Sequence, residues 1–195
     1  MIDFIGAKNH ILGKLRKELD PKLTYHNLCH SLDVHEAVIR LSQPEQISKK
    51  ELLLLETAAL YHDSGMMVKY ADHESYSIKI AGDSLPGFGY SQQETMEVSD
   101  LIRVTTLPQQ AKTHLEKIIC DADLDSMGRE DFFIQSFSLR LEWKNFGIRN
   151  TTLHEWLMFE LKFLENHEYY TFSAKKLRDE QKKRNIQEIK DLLNI

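Results

Sequence analysis

The chain is poor in the residues that interrupt helices. Its 195 residues include only 8 glycines and 4 prolines, too few for a turn-rich β fold, in which each tight turn draws on them. Cysteine is almost missing. Cys29 and Cys120 provide no disulfide framework and suit a reducing compartment. No apolar run approaches the roughly 20 residues that cross a bilayer. Met1-Ile2-Asp3-Phe4 lacks the basic start and apolar stretch of a signal peptide, so the expected location is the cytoplasm, away from membranes. Positive charge is not in excess either. A net charge of −5 argues against bulk nucleic-acid binding, though not against a local basic patch. Repeats, low-complexity stretches and Gly/Ser linkers are lacking too, which predicts one domain over 1–195 with a sizeable core.

What is present is helical punctuation. Ser48-Lys49-Lys50-Glu51, Ser91-Gln92-Gln93-Glu94, Thr113-His114-Leu115-Glu116 and Thr152-Leu153-His154-Glu155 all read as capping boxes, in which a hydroxyl and a carboxylate satisfy the free amides of a helix start. With Asp20-Pro21, Leu85-Pro86-Gly87 and Leu107-Pro108 as breaks, helices are expected near 3–19, 27–43, 49–63, 73–84, 92–104, 113–126, 129–145, 152–167 and 174–193. No segment alternates with period two for long enough to make a strand. The predicted fold class is all-α, a single-domain helical bundle. Trp143, Phe146, Trp156, Phe159 and Phe163 recur at helical spacing and are expected in its core. His154 and His167 are expected on helix surfaces or between helices.

The chemistry concentrates in three short segments. Tyr25-His26-Asn27-Leu28-Cys29-His30 carries two histidines four apart, which share a face if the segment is helical. His62-Asp63 follows the apolar run Leu52–Tyr61, and an adjacent His and Asp at the end of a buried helix set an imidazole nitrogen and a carboxylate oxygen near one point. Asp121-Ala122-Asp123-Leu124 comes last. Two imidazoles and two carboxylates form a mixed N/O donor set for a divalent transition metal or Mg²⁺.

The order His … His-Asp … Asp resembles the HD metal-dependent phosphohydrolases, and the resemblance extends over about 23–190, with its specific motifs between Tyr25 and Asp123. It implies a bundle of the HD-domain type, with a motif-bearing core at about 23–126 and a helical extension at about 129–195. It assigns His30, His62, Asp63 and Asp123 as metal ligands, Asp123 through the family's Ala-Asp-Leu pattern. Asp121 and Asp125 are then supporting or capping groups. The cofactor implied is one divalent ion (Mn, Fe, Ni, Co, Zn or Mg). Binuclear members carry further histidines where this chain has Thr105-Thr106-Leu107-Pro108. The implied activity is hydrolysis of a phosphate ester or anhydride, with a small phosphorylated substrate, a nucleotide for preference, attacked by a metal-activated water.

Three further roles are expected. Tyr25 to Val34 is similar to the start of the cyclic-nucleotide phosphodiesterase domain, which implies that His26 is the general acid for the leaving oxygen; a structural histidine inside the bundle is the other reading. His73-Glu74, ten residues after Asp63, is placed where many bacterial HD proteins line the pocket. There Glu74 would hold the attacking water and His73 a phosphate, or both would be helix-start charges. Arg103, Lys176 and Arg178 are the candidate phosphate-binding cations. The rival functions are a cyclic-nucleotide-type diesterase and a non-catalytic metal-binding regulatory module that keeps the HD core.

Overall fold

The computed structural model describes residues 1–195. It contains nine α-helices and no strands. They are α1 (Phe4–Glu18), α2 (Leu28–Ser42), α3 (Lys49–Tyr61), α4 (His73–Ser84), α5 (Gln92–Arg103), α6 (His114–Asp123), α7 (Phe132–Asn145), α8 (Leu153–Asn166) and α9 (Phe172–Leu193). The all-α reading holds, and none of the nine is long and apolar enough to cross a membrane. All four capping boxes form as read, with Ser48, Ser91, Thr113 and Thr152 each accepting the amide of the Glu three residues on.

Helix α3 is the axis of the assembly. Leu54, Leu55, Ala58, Ala59, Leu60 and Tyr61 are all sealed from solvent, and a helix apolar on every side belongs in the middle. It packs against α1, α2, α5 and α6. Removing one of its buried leucines would cost about 2–5 kcal/mol. Burial of α3 carries His62 and Asp63, just past its last residue, into the interior.

Four boundaries differ from expectation, each through a contact distant in sequence or a local cap. Helix α2 starts at Leu28 because Asn27 caps it, its side chain accepting from the amides of Cys29 and His30. His26 therefore precedes the helix and does not share its face with His30, which corrects the helical-spacing argument. Helix α6 stops at Asp123, three residues short of the expected end. Tyr169 there donates its hydroxyl hydrogen to the Leu124 carbonyl at 3.2 Å, and Asp125–Gly128 continues as a single 3₁₀ turn. Arg129 and Asp131 pair with one another ahead of α7, and Arg129 also reaches Asp33 at 2.6 Å, so that helix begins at Phe132. Helix α9 begins two residues early because Asp121 accepts from the amides of Tyr170 and Thr171, both at 2.8 Å, and from the Thr171 hydroxyl at 2.6 Å. This is the supporting role expected of Asp121.

One glycine matters for the site. A Cβ at Gly65 would lie 1.9 Å from the His73 carbonyl oxygen. Its absence lets the first turn of α4 sit directly on the 3₁₀ turn Ser64–Met67, where Gly65 N–H donates to Ser77 Oγ at 2.7 Å. That approach fixes His73 beside Asp63.

Candidate metal centre

Four donor atoms from three helix ends converge. His30 comes from the first turn of α2, His62 and Asp63 from the end of α3, and Asp123 from the last residue of α6. The Nε2 atoms of His30 and His62 are 3.3 Å apart. Asp63 Oδ2 is 3.4 Å from the first and 3.2 Å from the second, and Asp123 Oδ1 is 3.4 Å from both. Ligands bound at about 2.0–2.2 Å to one ion stand roughly 3.0–3.5 Å from their neighbours; His30, His62 and Asp123 group at such spacing, and Asp63 adjoins both histidines.

The local chemistry fits a cation. His62 donates its Nδ1 hydrogen to the Ala59 carbonyl at 2.8 Å, which leaves a lone pair on the Nε2 that faces the cluster. Asp63 Oδ2 is buried without a hydrogen-bond partner, a costly state for a carboxylate unless a cation meets it. Burial by itself pushes both carboxyls up and the imidazole down. The neighbouring imidazoles nevertheless hold Asp63 well below the usual carboxylate range and Asp123 down at about 2, while the two carboxylates raise His62 well above an ordinary histidine. Negative charge at this point asks for a positive partner. Gln109 steadies the outer oxygen of Asp123, with its amide nitrogen at 3.3 Å.

Asp63 and Asp123 of the donor set face a cavity of about 460 Å³, behind which His30 and His62 lie outside the lining. His26, Asp63, His73, Glu74 and Asp123 all line it, so five of the sequence-predicted residues face one space. His73 Nε2 is 3.2 Å from Asp63 Oδ1, and its Nδ1–H donates to the Tyr70 carbonyl at 3.1 Å. Glu74 lies beside it, 3.6 Å from the imidazole.

Arg103, Lys176 and Arg178 do not line this cavity, which corrects the expected phosphate grips. Arg103 is largely exposed and pairs with Asp100 one turn earlier on α5. Lys176 is exposed, its ammonium 6.0 Å from the Phe172 ring centre. Arg178 forks onto Asp125 with two 2.7 Å bonds, and Arg40 reaches the same carboxylate at 2.7 Å. Asp125 is thus an anchor for α9. The expected aromatic core is corrected too. Trp156 is fully buried, whereas Trp143, Phe159 and Phe163 form cavity wall. His167 is mostly buried and neither ring nitrogen has a partner.

Two acids went unread in the sequence. Glu142 of α7 is buried and holds the His26 ring, pairing with its Nδ1, while accepting the amides of Tyr25 and His26 at 2.8 and 2.9 Å and the Tyr70 hydroxyl at 2.7 Å. Burial pushes its carboxyl up, but these donors outweigh it and hold it below the ordinary range. Glu160 of α8 is buried on the cavity wall. The signal for both was an acid set among apolar neighbours, Leu141 and Trp143 in one case, Phe159 and Leu161 in the other.

The HD domain family model matches residues 27–128 of the chain. Among solved structures, a predicted HD superfamily hydrolase from an uncultured Thermotogales bacterium is similar at 19% identity and a TM-score of 0.65, over 97% of this chain and 91% of that one. YpgQ of Bacillus subtilis, in complex with ADP, is similar at 20% identity and a TM-score of 0.68, over 97% of this chain and 94% of that one. YpgQ alone gives 18% and 0.67, over 97% and 95%. No curated protein matches the chain.

Proposed function

The chain belongs to the HD domain family, and from that premise we propose that it is a divalent-metal-dependent phosphohydrolase that cleaves a phosphate ester or anhydride of a nucleotide. The observation that carries this reading is the cluster of His30, His62 and Asp123, with Asp63 against both histidines, whose two carboxylates face a substrate-sized cavity. A non-catalytic metal module would have no need of that opening, nor of a histidine held ready beside it. The nucleotide class is supported by YpgQ, which is similar in fold and takes ADP.

His30, His62, Asp63 and Asp123 would hold a single ion. A divalent ion in such a set neutralises phosphate charge and lowers the pKa of a coordinated water. His26 is the proton donor to the leaving oxygen. With Nδ1 engaged by Glu142, its other nitrogen is the one free to serve the cavity. Glu142 keeps the ring in one orientation, as a carboxylate does for an acid–base imidazole. His73, fixed by the Tyr70 carbonyl and by Asp63, replaces the missing basic side chains as a phosphate contact, and Glu74 orients water at the same wall. A cyclic-nucleotide diesterase is the second reading, favoured by the His26–Glu142 pair, because an alkoxide leaving group needs that proton.

The test is a panel of nucleoside monophosphates, diphosphates, triphosphates and cyclic nucleotides, given to protein loaded separately with Mn²⁺, Co²⁺, Ni²⁺, Fe²⁺, Zn²⁺ and Mg²⁺. Hydrolysis that chelator abolishes and His26→Ala lowers by about 10²–10⁴-fold, with metal content unchanged, supports the reading. Absence of turnover on every ester with every ion refutes it.

A further inference from the structure

The part of the cavity wall built by α7 and α8 differs in chemistry from the part that faces the donor set. It is mostly apolar and aromatic, with Leu139, Trp143, Phe159 and Phe163 beside the polar Gln135 and Ser136, and it holds a single acid, Glu160. The aromatic rings are ordered. Trp143 and Phe159 are 5.3 Å apart between centroids, and Phe159 and Phe163 are parallel within 8°. Such a surface accepts a flat ring.

Glu160 is only 5% exposed, yet it takes part in no ion pair, and no Lys or Arg lines the cavity. The Ser136 hydroxyl is the one polar neighbour that favours its charged form. That hydroxyl is itself oriented, because Trp156 Nε1–H donates to Ser136 Oγ at 2.8 Å and leaves the hydroxyl hydrogen free to turn to the carboxyl. Burial raises the Glu160 carboxyl to about 7, with the Ser136 bond acting in the opposite sense. A buried acid whose roughly four lone-pair sites go almost unmet is costly. Packing gives no reason for it, since Leu or Met would fill the same α8 position between Trp156 and Leu164. A ligand that brings N–H donors gives a reason.

We propose that Glu160 is the specificity-determining residue of this cavity, accepting hydrogen bonds from the amino edge of a nucleobase that stacks among Trp143, Phe159 and Phe163, with guanine the best fit. Guanine presents two adjacent, parallel N–H donors that match a carboxylate. Adenine and cytosine offer one donor next to an acceptor, which would face the second carboxylate oxygen. Hypoxanthine and uracil lack the amino group. The inference rests on the nucleotide reading above.

Guanosine and inosine 5′-monophosphates differ only in the 2-amino group, so they isolate the contact. The chain has 2 tryptophans, Trp143 and Trp156, and quenching of their fluorescence reports occupancy without turnover. In the wild type, guanosine monophosphate should bind roughly 10–100-fold more tightly than inosine monophosphate, as expected for one hydrogen bond to a charged acceptor. In Glu160→Leu, which relieves the buried charge and keeps the volume, the ratio should fall to about one. In Glu160→Gln, which keeps the shape and one acceptor oxygen, it should fall part of the way. Equal binding of the two nucleotides by the wild type, a ratio unchanged in both variants, tighter binding of O-phosphoethanolamine than of guanosine monophosphate, or no binding of either nucleotide would each overturn the assignment. Failure of the metal-loaded protein to hydrolyse any phosphate ester would instead remove the enzymatic reading, while the binding ratio still decides on Glu160.

Discussion

Replacing Glu160 by Gln should stabilise the free protein, increasingly so as pH rises. The carboxyl titrates at about 7 in the folded chain against an ordinary 4.5, raised by burial with only Ser136 opposing. A raised folded value means that the native state holds its proton through a range in which the unfolded chain has lost it. The stability that the proton brings is therefore complete below 4.5, falls as pH climbs toward 7, and is gone above. The shift of about 2.5 units corresponds to about 3 kcal/mol in total at 1.36 kcal/mol per unit, of which about 2.5 kcal/mol is lost between about pH 5 and about pH 8. Glu160 is almost wholly buried, so solvent screening removes little of this. Gln keeps the shape and carries no charge at either pH. The melting-temperature difference between variant and wild type should thus widen by roughly 5–10 °C between the two conditions, at about 2–4 °C per kcal/mol for a chain of this size. The assay is thermal unfolding by circular dichroism across pH, both proteins loaded with the same ion so that the pH dependence of the metal centre cancels in the difference. A difference that stays flat, or that widens toward acid, would refute the claim that Glu160 is an uncompensated buried acid.

Asp63→Ala should lose most bound metal by elemental analysis, because it deletes the orphaned Oδ2; stoichiometric metal in that variant would sink the ligand assignment. Glu142→Gln should keep metal content but lower turnover on poor leaving groups far more than on p-nitrophenyl phosphate, whose leaving group needs no proton; equal losses on both would make Glu142 merely structural. Gly65→Ala should cost about 1–3 kcal/mol or more and weaken catalysis through displaced His73, since its Cβ would meet the His73 carbonyl; an unchanged melting curve would count against that packing. His167, lowered to about 4 by burial and by nearby Lys182, stays neutral in the folded chain while the unfolded one takes up a proton below about 6.5. His167→Phe should therefore spare about 2 kcal/mol of acid destabilisation at about pH 5, as measured by urea unfolding, and identical acid limbs would contradict it.

Helix starts were legible because their signals are local. A Ser or Thr followed three residues later by Glu satisfies its own amides wherever the chain goes, and all four such boxes formed. The meeting of His30, His62, Asp63 and Asp123 was legible for a related reason, since the apolar run Leu52–Tyr61 before His62-Asp63 marks a buried helix. Features set by partners far along the chain were not. Asp125, fifty-three residues before Arg178, turns that arginine away from the cavity. Tyr169 ends α6 from forty-five residues downstream. The shared face of His26 and His30 needed the helix to run back past Asn27, whereas Asn27 is a good N-cap residue and ends it there. Glu160 falls in the buried stripe Trp156, Leu157, Glu160, Leu161, Leu164. An acid at a core position of an otherwise regular amphipathic pattern is a functional signal that periodicity alone makes visible.

Helix α7 ties the two halves of the cavity together. Glu142 holds the His26 ring, while its neighbour Trp143 and, two turns back, Ser136 belong to the wall around Glu160. Because these residues ride on one rigid rod, rotation by a single position (about 100°) would withdraw the carboxylate from His26 and the hydroxyl from Glu160 at once. The register of α7 is held at both ends by polar contacts. Arg129 and Asp131 pair ahead of its first turn, and Arg140 donates to the Thr151 carbonyl and hydroxyl beyond its last. Loosening either end should therefore damage proton delivery and base selection together, even though neither end touches the cavity's reacting groups. An Arg140→Ala variant distinguishes this from two independent subsites. Coupled loss of turnover on poor leaving groups and of discrimination between guanosine and inosine monophosphates would show that α7 is the shared support, and loss of one without the other would show that it is not.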